Sequence, residues 1–359
     1  MLNDYTGWQQ IPDPLLAWFD GNARVLPWRS DPAPYHVWVS EIMLQQTRVE
    51  AVRSYYERFL RELPDLHALA ACPEDRLMKL WEGLGYYSRA RNLQKAARQI
   101  EEEYDGQMPP DFDTLLKLPG IGRYTAGAVA SIAFGRKAPA VDGNVLRVVT
   151  RLAADDSDIM KEPFRREVER HLLEILPDDR PGTFNQAMME LGAMVCVPNG
   201  APDCGGCPLA FCCTAHQAGN ETAYPVKAPK KSRRIEEKTI LLIRDGDRMV
   251  LRRRPPKGLL AGLYEFPWEA GWLSAEEAEK AAERLGFEPL QLERLPAASH
   301  IFSHVEWHMQ GWLIRVAETE NIPAGMVLAD RKQIEKEYPV PSAFAAYAEQ
   351  MQLNLGLGG

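Results

Sequence analysis

The sequence lacks both a long apolar run and a start of the kind that directs secretion. Its first twenty residues mix acids, prolines and polar groups, without a basic start followed by an apolar segment. No stretch of the chain is apolar over a length sufficient to span a bilayer. We therefore expect a cytoplasmic protein that does not bind membranes.

Cysteine is scarce and unevenly placed. Only six cysteines occur in 359 residues, and five of them lie between Cys196 and Cys213. Disulfides are rare inside cells, so the cluster favours a metal or iron-sulfur site, while the isolated Cys72 is typical of a small buried side chain.

The spacing within the cluster suits four thiolates that bind a [4Fe-4S] cluster. The predicted ligands are Cys196, Cys204, Cys207 and Cys213. Cys212 is an alternative fourth ligand. Zinc is the alternative metal, although four-cysteine zinc sites usually show two separated C-x2-C pairs and this chain has one.

Net positive charge, which duplex-binding proteins often carry, is also missing. The formal net charge is -8, although phosphate contacts require Lys and Arg. Basic residues are concentrated in one run and in a second group over residues 252–254. The run consists of Lys227, Lys230, Lys231, Arg233 and Arg234. Such patches are compatible with duplex binding, and a solvated linker is the alternative explanation.

The hydrophobic pattern changes beyond the middle of the chain. From about Pro12 to His216, apolar residues recur at spacings of three and four, which predicts an all-α body. The segment GNETAYPVKAPKKSRR is typical of a linker, and TILLIRDGDRMVLRRR predicts a β-hairpin around an Asp-Gly turn. We predict a helical domain over 1–218, a linker over 219–237, an α+β domain over 238–352 and a tail over 353–359.

Two glycines close together mark a turn between two predicted helices. The motif LPGIGRYTA over 118–126 predicts a sharp turn that points the backbone of Gly120, Ile121 and Gly122 at a phosphate. The dipole of the helix that starts there favours the negative charge. A plain connection between two helices is the alternative.

Two carboxyl groups lie in contrasting surroundings. Glu41 shares a helix face with Val37, Trp38 and Leu44, so desolvation is expected to raise its pKa. Asp142 precedes the helical run VLRVVTRL, where the helix start favours the anion, so we expect it to stay ionised. Such a pair is typical of glycosidic bond cleavage. The alternatives are a buried Glu paired with an Arg, and an Asp that only caps its helix.

These motifs together resemble a known enzyme family. LPGIGRYTA, VDGNVLRVVTRL and the cysteine cluster resemble the helix-hairpin-helix glycosylase superfamily, which includes endonuclease III. LPWR, VSEIMLQQTRV and GLGYYSRARN resemble its MutY members. The resemblance implies an all-α helix-hairpin-helix body with an iron-sulfur loop over 196–213, followed by a Nudix-like domain. It also implies base excision repair, in which adenine paired with 8-oxoguanine or guanine is flipped out of duplex DNA and its glycosidic bond is hydrolysed.

Tyr124 stands where superfamily members that also cut the backbone carry a lysine nucleophile. A phenol cannot form the Schiff base that such cutting requires, so the resemblance implies a monofunctional hydrolase. We expect it to act as a monomer. One alternative is an endonuclease III-like glycosylase with lyase activity. Another is a non-catalytic iron-sulfur DNA-binding module, which the presence of both carboxyl groups counts against.

The resemblance implies roles for particular residues. Glu41 would protonate adenine at N7, Asp142 would stabilise the cationic sugar, and Tyr124 and Asn144 would support the transition state. The implied adenine pocket consists of Arg24, Leu26, Trp28, Arg29 and Gln186. The residues implied to fill the opened duplex are Gln46, Thr47, Leu84 and Tyr86. For Trp28 and Tyr86, ordinary core packing is the alternative.

The C-terminal half resembles a Nudix domain from GLYEFPW onward. Pyrophosphate hydrolysis is not expected, because AEEAEKAAERLGFEP lacks the residue order of the metal-binding Nudix helix. MutY proteins use this domain to read 8-oxoguanine, and Phe302, Ser303 and His304 resemble their recognition loop. An ordinary strand connection is the alternative. MutY proteins usually have six residues between the first two clustered cysteines, and this chain has seven.

Overall fold

The chain forms two compact units in a computed structural model that describes residues 2–229, 232–319 and 321–348. The first unit comprises Met1–Ala71 and Asn92–Pro229, and the second comprises Cys72–Arg91 and Lys230–Gly359. The units differ from the predicted domains in two respects. Cys72–Arg91 groups with the C-terminal part, and the predicted linker over 219–237 is divided between the two units. Lys230, Lys231, the end of the predicted second domain over 349–352 and the predicted tail over 353–359 lie outside the described residues.

Helices dominate the first unit, as the sequence pattern predicts. In chain order the helices of both units are α1 (Pro12–Asn22), α2 (Pro27–Ser30), α3 (Pro34–Leu44), α4 (Val49–Glu62), α5 (Leu66–Ala71), α6 (Glu74–Leu80), α7 (Ser88–Glu103), α8 (Phe112–Leu115), α9 (Arg123–Ala128), α10 (Gly143–Ala153), α11 (Glu162–Ile175), α12 (Pro181–Met194), α13 (Thr214–Gln217), α14 (Ala275–Arg284), α15 (Arg331–Glu337) and α16 (Ala345–Ala348). A π-helical turn, Val129–Ala133, continues α9. No helix in the described part of the chain has the length and apolar character needed to cross a membrane.

Helix α10 lies at the centre of the first unit. Asp142 caps its start by accepting a hydrogen bond from the Val145 amide at 2.8 Å, which satisfies one of the unpaired N–H groups of the first turn. Its apolar residues are buried together with those of α1, α11 and α12 in one hydrophobic core. This packing fixes the residues at the start of α10 relative to α12.

A seven-stranded mixed sheet forms the body of the second unit. Its strands are β1 (Arg234–Asp245), β2 (Arg248–Arg253), β3 (Tyr264–Glu265), β4 (Trp268–Ala270), β5 (Pro289–Ile301), β6 (Val305–Val316) and β7 (Met326–Asp330). The main order is β3-β2-β1-β6-β5, with β4 beside β1 and β7 beside β2. Strands β1 and β6 run parallel, and the other pairs are antiparallel. Helix α14 packs on one face, which confirms the predicted α+β class.

The predicted hairpin is present as β1 and β2. Asp245 pairs with Arg248, so the two turn residues are Gly246 and Asp247 rather than an Asp-Gly pair. Strand β1 begins at Arg234, inside the segment predicted as a linker, because its first residues pair with β6. This pairing places the end of the linker beside the loop that joins β5 and β6.

A buried ion pair binds α6 to the C-terminal part of the second unit. The Lys79 ammonium lies 2.6 Å from Glu82 and donates to the Ile334 carbonyl at 2.9 Å. Glu82 in turn accepts a hydrogen bond from the Val340 amide at 2.8 Å. The two hydrogen bonds, from Lys79 to Ile334 and from Val340 to Glu82, each link residues that are more than 200 positions apart in sequence. They explain why Cys72–Arg91 belongs to this unit.

Candidate functional site

Glu41 is buried on the face of α3 that the sequence pattern predicts. Its residue surface is 6% exposed, and burial raises the pKa of its carboxyl to about 7. The Tyr124 hydroxyl donates a hydrogen bond to Glu41 Oε2 and partly opposes this rise. A carboxyl group with such a pKa can hold a proton at neutral pH and donate it. The prediction that desolvation raises its pKa is therefore confirmed.

Asp142 is confirmed as the cap of α10, but its charge state is less simple than predicted. It accepts hydrogen bonds at 2.8 Å from the Val145 amide and from Asn144 Nδ2. Burial raises its pKa, and these donors together with Arg147 oppose that rise. The helix start favours the anion as expected, yet the surroundings as a whole do not lower the pKa. The cause is tertiary burial, which the local sequence does not reveal.

The four predicted catalytic residues line one cleft of about 880 Å³ in the first unit. They are Glu41, Tyr124, Asp142 and Asn144. Negative charge on Asp142 further raises the pKa of Glu41, which favours the protonated form of Glu41 beside an ionised Asp142. Burial and both carboxyl groups raise the pKa of Tyr124, which keeps its hydroxyl protonated as a donor.

The five residues of the predicted adenine pocket line the same cleft, and two of them make hydrogen bonds to Glu190, which also lines it. Arg24 and Arg29 each donate two side-chain hydrogen bonds to Glu190, over 2.8 to 3.0 Å. Burial alone would raise the pKa of Glu190, but these bonds lower it to about 2. Trp28 is buried and packs edge-to-face on Tyr56 at 5.4 Å, so it belongs to the core and to the cleft wall.

Arg147 is a buried residue that the sequence analysis did not identify. Its guanidinium donates to Asn144 Oδ1 at 2.8 Å and to the carbonyls of Gly192 and Cys196, each at 2.7 Å. Asn144 in turn donates to Asp142. A continuous series of hydrogen bonds therefore joins Asp142 to the start of the cysteine loop. Arg147 lies one helical turn after Asn144, and Glu190 lies one helical turn after Gln186. This spacing places each of them on the same helix face as a predicted site residue, and it could have identified them from the sequence.

The four predicted cysteine ligands line one cavity in the first unit. Arg151 donates to Cys196 Sγ at 3.2 Å and lines the same cavity. Cys212 is not among the described residues that line this cavity, whereas Cys213 is. The geometry therefore favours Cys213 over Cys212 as the fourth ligand. Within the loop between Cys196 and Cys204, Gly200 has a φ of +78°, a conformation that glycine adopts readily.

The chemistry of these thiols fits a metal cofactor. Burial raises the pKa of Cys204 to about 11 and that of Cys207 to about 12. Four converging thiols are soft donors that lose their protons on coordination. A second donor set adjoins them, because Cys204, His216 and Glu221 offer ligand atoms within 4.8 Å of one another. The cysteine-rich loop thus supports a metal site in general terms.

The predicted helix-hairpin-helix turn lies between α8 and α9. Gly120 has a φ of +77°, and a Cβ there would come within 2.6 Å of Asn92 Cβ, so glycine is required. The Ile121 side chain is buried and its amide donates to the Leu118 carbonyl. Gly122 caps the start of α9 in an extended conformation. The backbone geometry suits the predicted turn, and its contact with DNA remains a prediction.

The residues predicted to fill an opened duplex are divided between the units. Gln46 and Thr47 line the cleft of the first unit, and Gln46 has a φ of +60°. Leu84 is buried in the second unit, whereas Tyr86 is 46% exposed with a φ of +46°. The exposure of Tyr86 argues against the core-packing alternative.

The predicted recognition loop is the turn between β5 and β6. Phe302 is half-buried and packs on Trp307 at 4.8 Å, while Ser303 and His304 are exposed. The hydroxyls of Tyr86 and Ser303 lie 3.1 Å apart within the second unit. The structure therefore brings a predicted duplex-filling residue and a predicted lesion-reading residue into contact.

Comparisons with known proteins agree with this arrangement. Residues 39–178 match the HhH-GPD superfamily of base excision DNA repair proteins, and residues 239–350 match the NUDIX domain. The chain is 38% identical to an adenine DNA glycosylase of Mus musculus, in an alignment that covers 81% of this chain and 68% of the mouse protein. It is 32% identical to an adenine DNA glycosylase of Buchnera aphidicola subsp. Schizaphis graminum, covering 86% and 88%.

Solved structures provide a further similarity. A trapped endonuclease III–DNA covalent intermediate is 30% identical, with a TM-score of 0.50, and covers 59% of this chain and 98% of that one. This similarity supports the predicted helix-hairpin-helix body and, in general terms, the binding of DNA.

Proposed function

Because the chain belongs to the MutY-type adenine DNA glycosylase family of base excision repair, we propose that it removes adenine paired with 8-oxoguanine or guanine in duplex DNA. The reaction is hydrolysis of the N-glycosidic bond by a monomer. The observation that carries this proposal is the pair Glu41 and Asp142, which line one cleft and in which the charge of Asp142 raises the pKa of Glu41.

Glu41 serves as the acid. Its pKa of about 7 leaves a large protonated fraction at neutral pH, and donation to adenine N7 turns the base into a better leaving group. Tyr124 holds the carboxyl group in place through its hydrogen bond to Oε2. After the base departs, the carboxylate of Glu41 can accept a proton from the attacking water.

Asp142 stabilises the positive charge that develops on the sugar. Three groups favour its anion: the Val145 amide, Asn144 Nδ2 and the nearby Arg147. Because the carboxylate is buried, its interaction with a cationic sugar is weakly screened. The glycosidase pattern of one protonated and one ionised carboxyl group is thus available within a single cleft.

The cleft favours a monofunctional enzyme. None of the described residues that line it is a lysine, and the Tyr124 hydroxyl donates a hydrogen bond to Glu41. A lyase requires an amine that forms a Schiff base with the sugar. Borohydride should therefore trap little covalent adduct on abasic DNA, and strong trapping would instead support the endonuclease III-like alternative.

A [4Fe-4S] cluster is the proposed cofactor, held by Cys196, Cys204, Cys207 and Cys213. When bound, it would supply iron–thiolate bonds that cross-link the loop over 196–213. All four thiols line one cavity, whereas the rival set contains only Cys204 with His216 and Glu221. Equal amounts of iron and inorganic sulfide in the purified protein support the proposal, and zinc without sulfide contradicts it.

The proposed substrate preference is tested by single-turnover adenine release. Three duplexes differ only in the base opposite adenine, which is 8-oxoguanine, guanine or thymine. The proposal expects the fastest release opposite 8-oxoguanine, slower release opposite guanine and the slowest opposite thymine. Equal rates on all three duplexes would refute the recognition of 8-oxoguanine by residues 302–304. The absence of any adenine release would refute the proposed glycosylase activity.

A further inference from the structure

The end of the predicted linker contacts the recognition loop on both sides. Arg233 donates from Nε to the Phe302 carbonyl at 3.1 Å. The next residue, Arg234, donates from its backbone amide to the His304 carbonyl at 3.2 Å. Two consecutive arginines of the basic run therefore hold the first and last residues of the loop Phe302, Ser303 and His304.

Sheet pairing makes this contact possible. Arg234 opens β1 and pairs in parallel with Val305, the first residue of β6. The three loop residues join β5 to β6, and the Phe302 amide closes the turn on the Val305 carbonyl at 2.8 Å. The register therefore places the backbone of Arg233 beside the loop, and its exposed side chain reaches the Phe302 carbonyl from there.

The two arginines differ in how they contribute. The Arg234 side chain pairs with Glu236, and its contact with the loop uses only backbone atoms. Arg233 contacts the loop through its guanidinium, and no carboxylate among the described residues pairs with it. Substitution of the Arg233 side chain therefore changes the loop contact, whereas substitution of the Arg234 side chain leaves its backbone contact in place.

Ser303 is held indirectly by the same arrangement. The Phe302 ring packs between His300 at 4.6 Å and Trp307 at 4.8 Å, which fixes the side chain of that residue. The Arg233 bond fixes its carbonyl, which is part of the peptide unit leading into Ser303. The Ser303 hydroxyl then meets the Tyr86 hydroxyl at 3.1 Å. Rotation of the Phe302–Ser303 peptide would turn this hydroxyl away.

We propose that Arg233 is a positioning residue for lesion recognition, which orients the Phe302–Ser303 peptide so that the exposed Ser303 hydroxyl meets the oxidised base. The inference rests on the proposed reading of 8-oxoguanine by residues 302–304. The distance between a hydrogen-bond donor and its acceptor must stay within a few tenths of an ångström of about 2.9 Å for the bond to discriminate between bases. Loss of the guanidinium contact should therefore reduce discrimination more than it reduces duplex binding.

The test compares Arg233→Ala with the matched variant Arg234→Ala, each in the full-length protein. Both variants remove one positive charge from adjacent positions, so the loss of general attraction to phosphate is similar. Single-turnover adenine release is measured opposite 8-oxoguanine and opposite guanine. Hydrogen exchange is measured over residues 299–306, and affinity is measured for an undamaged duplex.

We expect Arg233→Ala to reduce the ratio of the two rates severalfold, the effect of losing one exposed hydrogen bond. Exchange over residues 299–306 should accelerate in this variant. Arg234→Ala should keep both the wild-type ratio and the wild-type exchange, while binding undamaged duplex as weakly as Arg233→Ala does.

The outcomes separate this inference from the function on which it rests. A wild-type ratio in Arg233→Ala, with the wild type still preferring 8-oxoguanine, overturns the inference and leaves the proposed function intact. An equal fall in both variants also overturns it, since charge alone then explains the effect. If the wild type releases adenine equally fast opposite 8-oxoguanine and opposite guanine, the proposed recognition of 8-oxoguanine is refuted. The specificity role of Arg233 is then refuted as well, whatever the exchange data show.

Discussion

Replacement of Glu41 by glutamine should stabilise the protein, and the gain should depend on pH. Burial raises the pKa of Glu41 from 4.5 to about 7. The folded state therefore keeps the proton to higher pH than the unfolded state does. Below about pH 4.5 the carboxyl group is neutral in both states, and above about pH 7 its ionisation opposes folding in full. The shift corresponds to about 3 kcal/mol of free energy of unfolding at high pH.

Glutamine keeps the shape of the side chain and can still accept the Tyr124 hydrogen bond, but it cannot ionise. We expect Glu41→Gln to be more stable than the wild type by about 3 kcal/mol near pH 8.5 and by under about 1 kcal/mol near pH 5. Urea unfolding followed by pulsed hydrogen exchange of α3 measures this difference in the unit that contains Glu41. Glu57→Gln, at an exposed position of α4, controls for the loss of a carboxyl group in general. If Glu41→Gln and the wild type differed in stability by the same amount at both pH values, the claim that ionisation of the buried Glu41 opposes folding would be refuted.

Three further predictions concern the residues around the cleft and the loops. Cys213→Ser should lose bound iron while Cys212→Ser retains it, which iron analysis of the purified variants decides; loss in both would contradict the ligand assignment. Arg147→Lys cannot reproduce the forked contacts and should slow adenine release about 10- to 100-fold with little change in duplex affinity. An unchanged rate would show that the bonded series to Asp142 has no catalytic consequence. Tyr86→Phe removes one hydroxyl contact with Ser303 and should lower the 8-oxoguanine preference severalfold in the single-turnover assay; an unchanged preference would refute a role for that contact.

Local sequence was sufficient where local structure decides the outcome. The apolar neighbours of Glu41 on one helix face predicted its burial, and the position of Asp142 before an apolar helical run predicted its cap. The change from helical to alternating periodicity predicted the α+β domain. The short-range spacing of the cysteines also placed four thiols around one cavity. In each case the information lies within a few residues of the feature.

Features set by distant parts of the chain were not predictable in the same way. Glu190 is the only charged residue of α12, and only folding brings Arg24 and Arg29 to it. The pKa of Asp142 is raised by burial that arises from tertiary packing. The segment Cys72–Arg91 groups with the second unit through contacts between residues far apart in sequence, such as the bond between Glu82 and Val340, which are 258 residues apart.

The central claim is that Glu41 donates a proton to the departing adenine. Single-turnover release from a duplex with adenine opposite 8-oxoguanine, measured across pH for the wild type and for Glu41→Gln, tests it directly. The wild-type rate should fall as the pH rises through about 7, because the donor loses its proton there. The variant should be slower by about 10²- to 10⁴-fold. A variant that releases adenine at the wild-type rate, with the wild-type dependence on pH, would contradict the account.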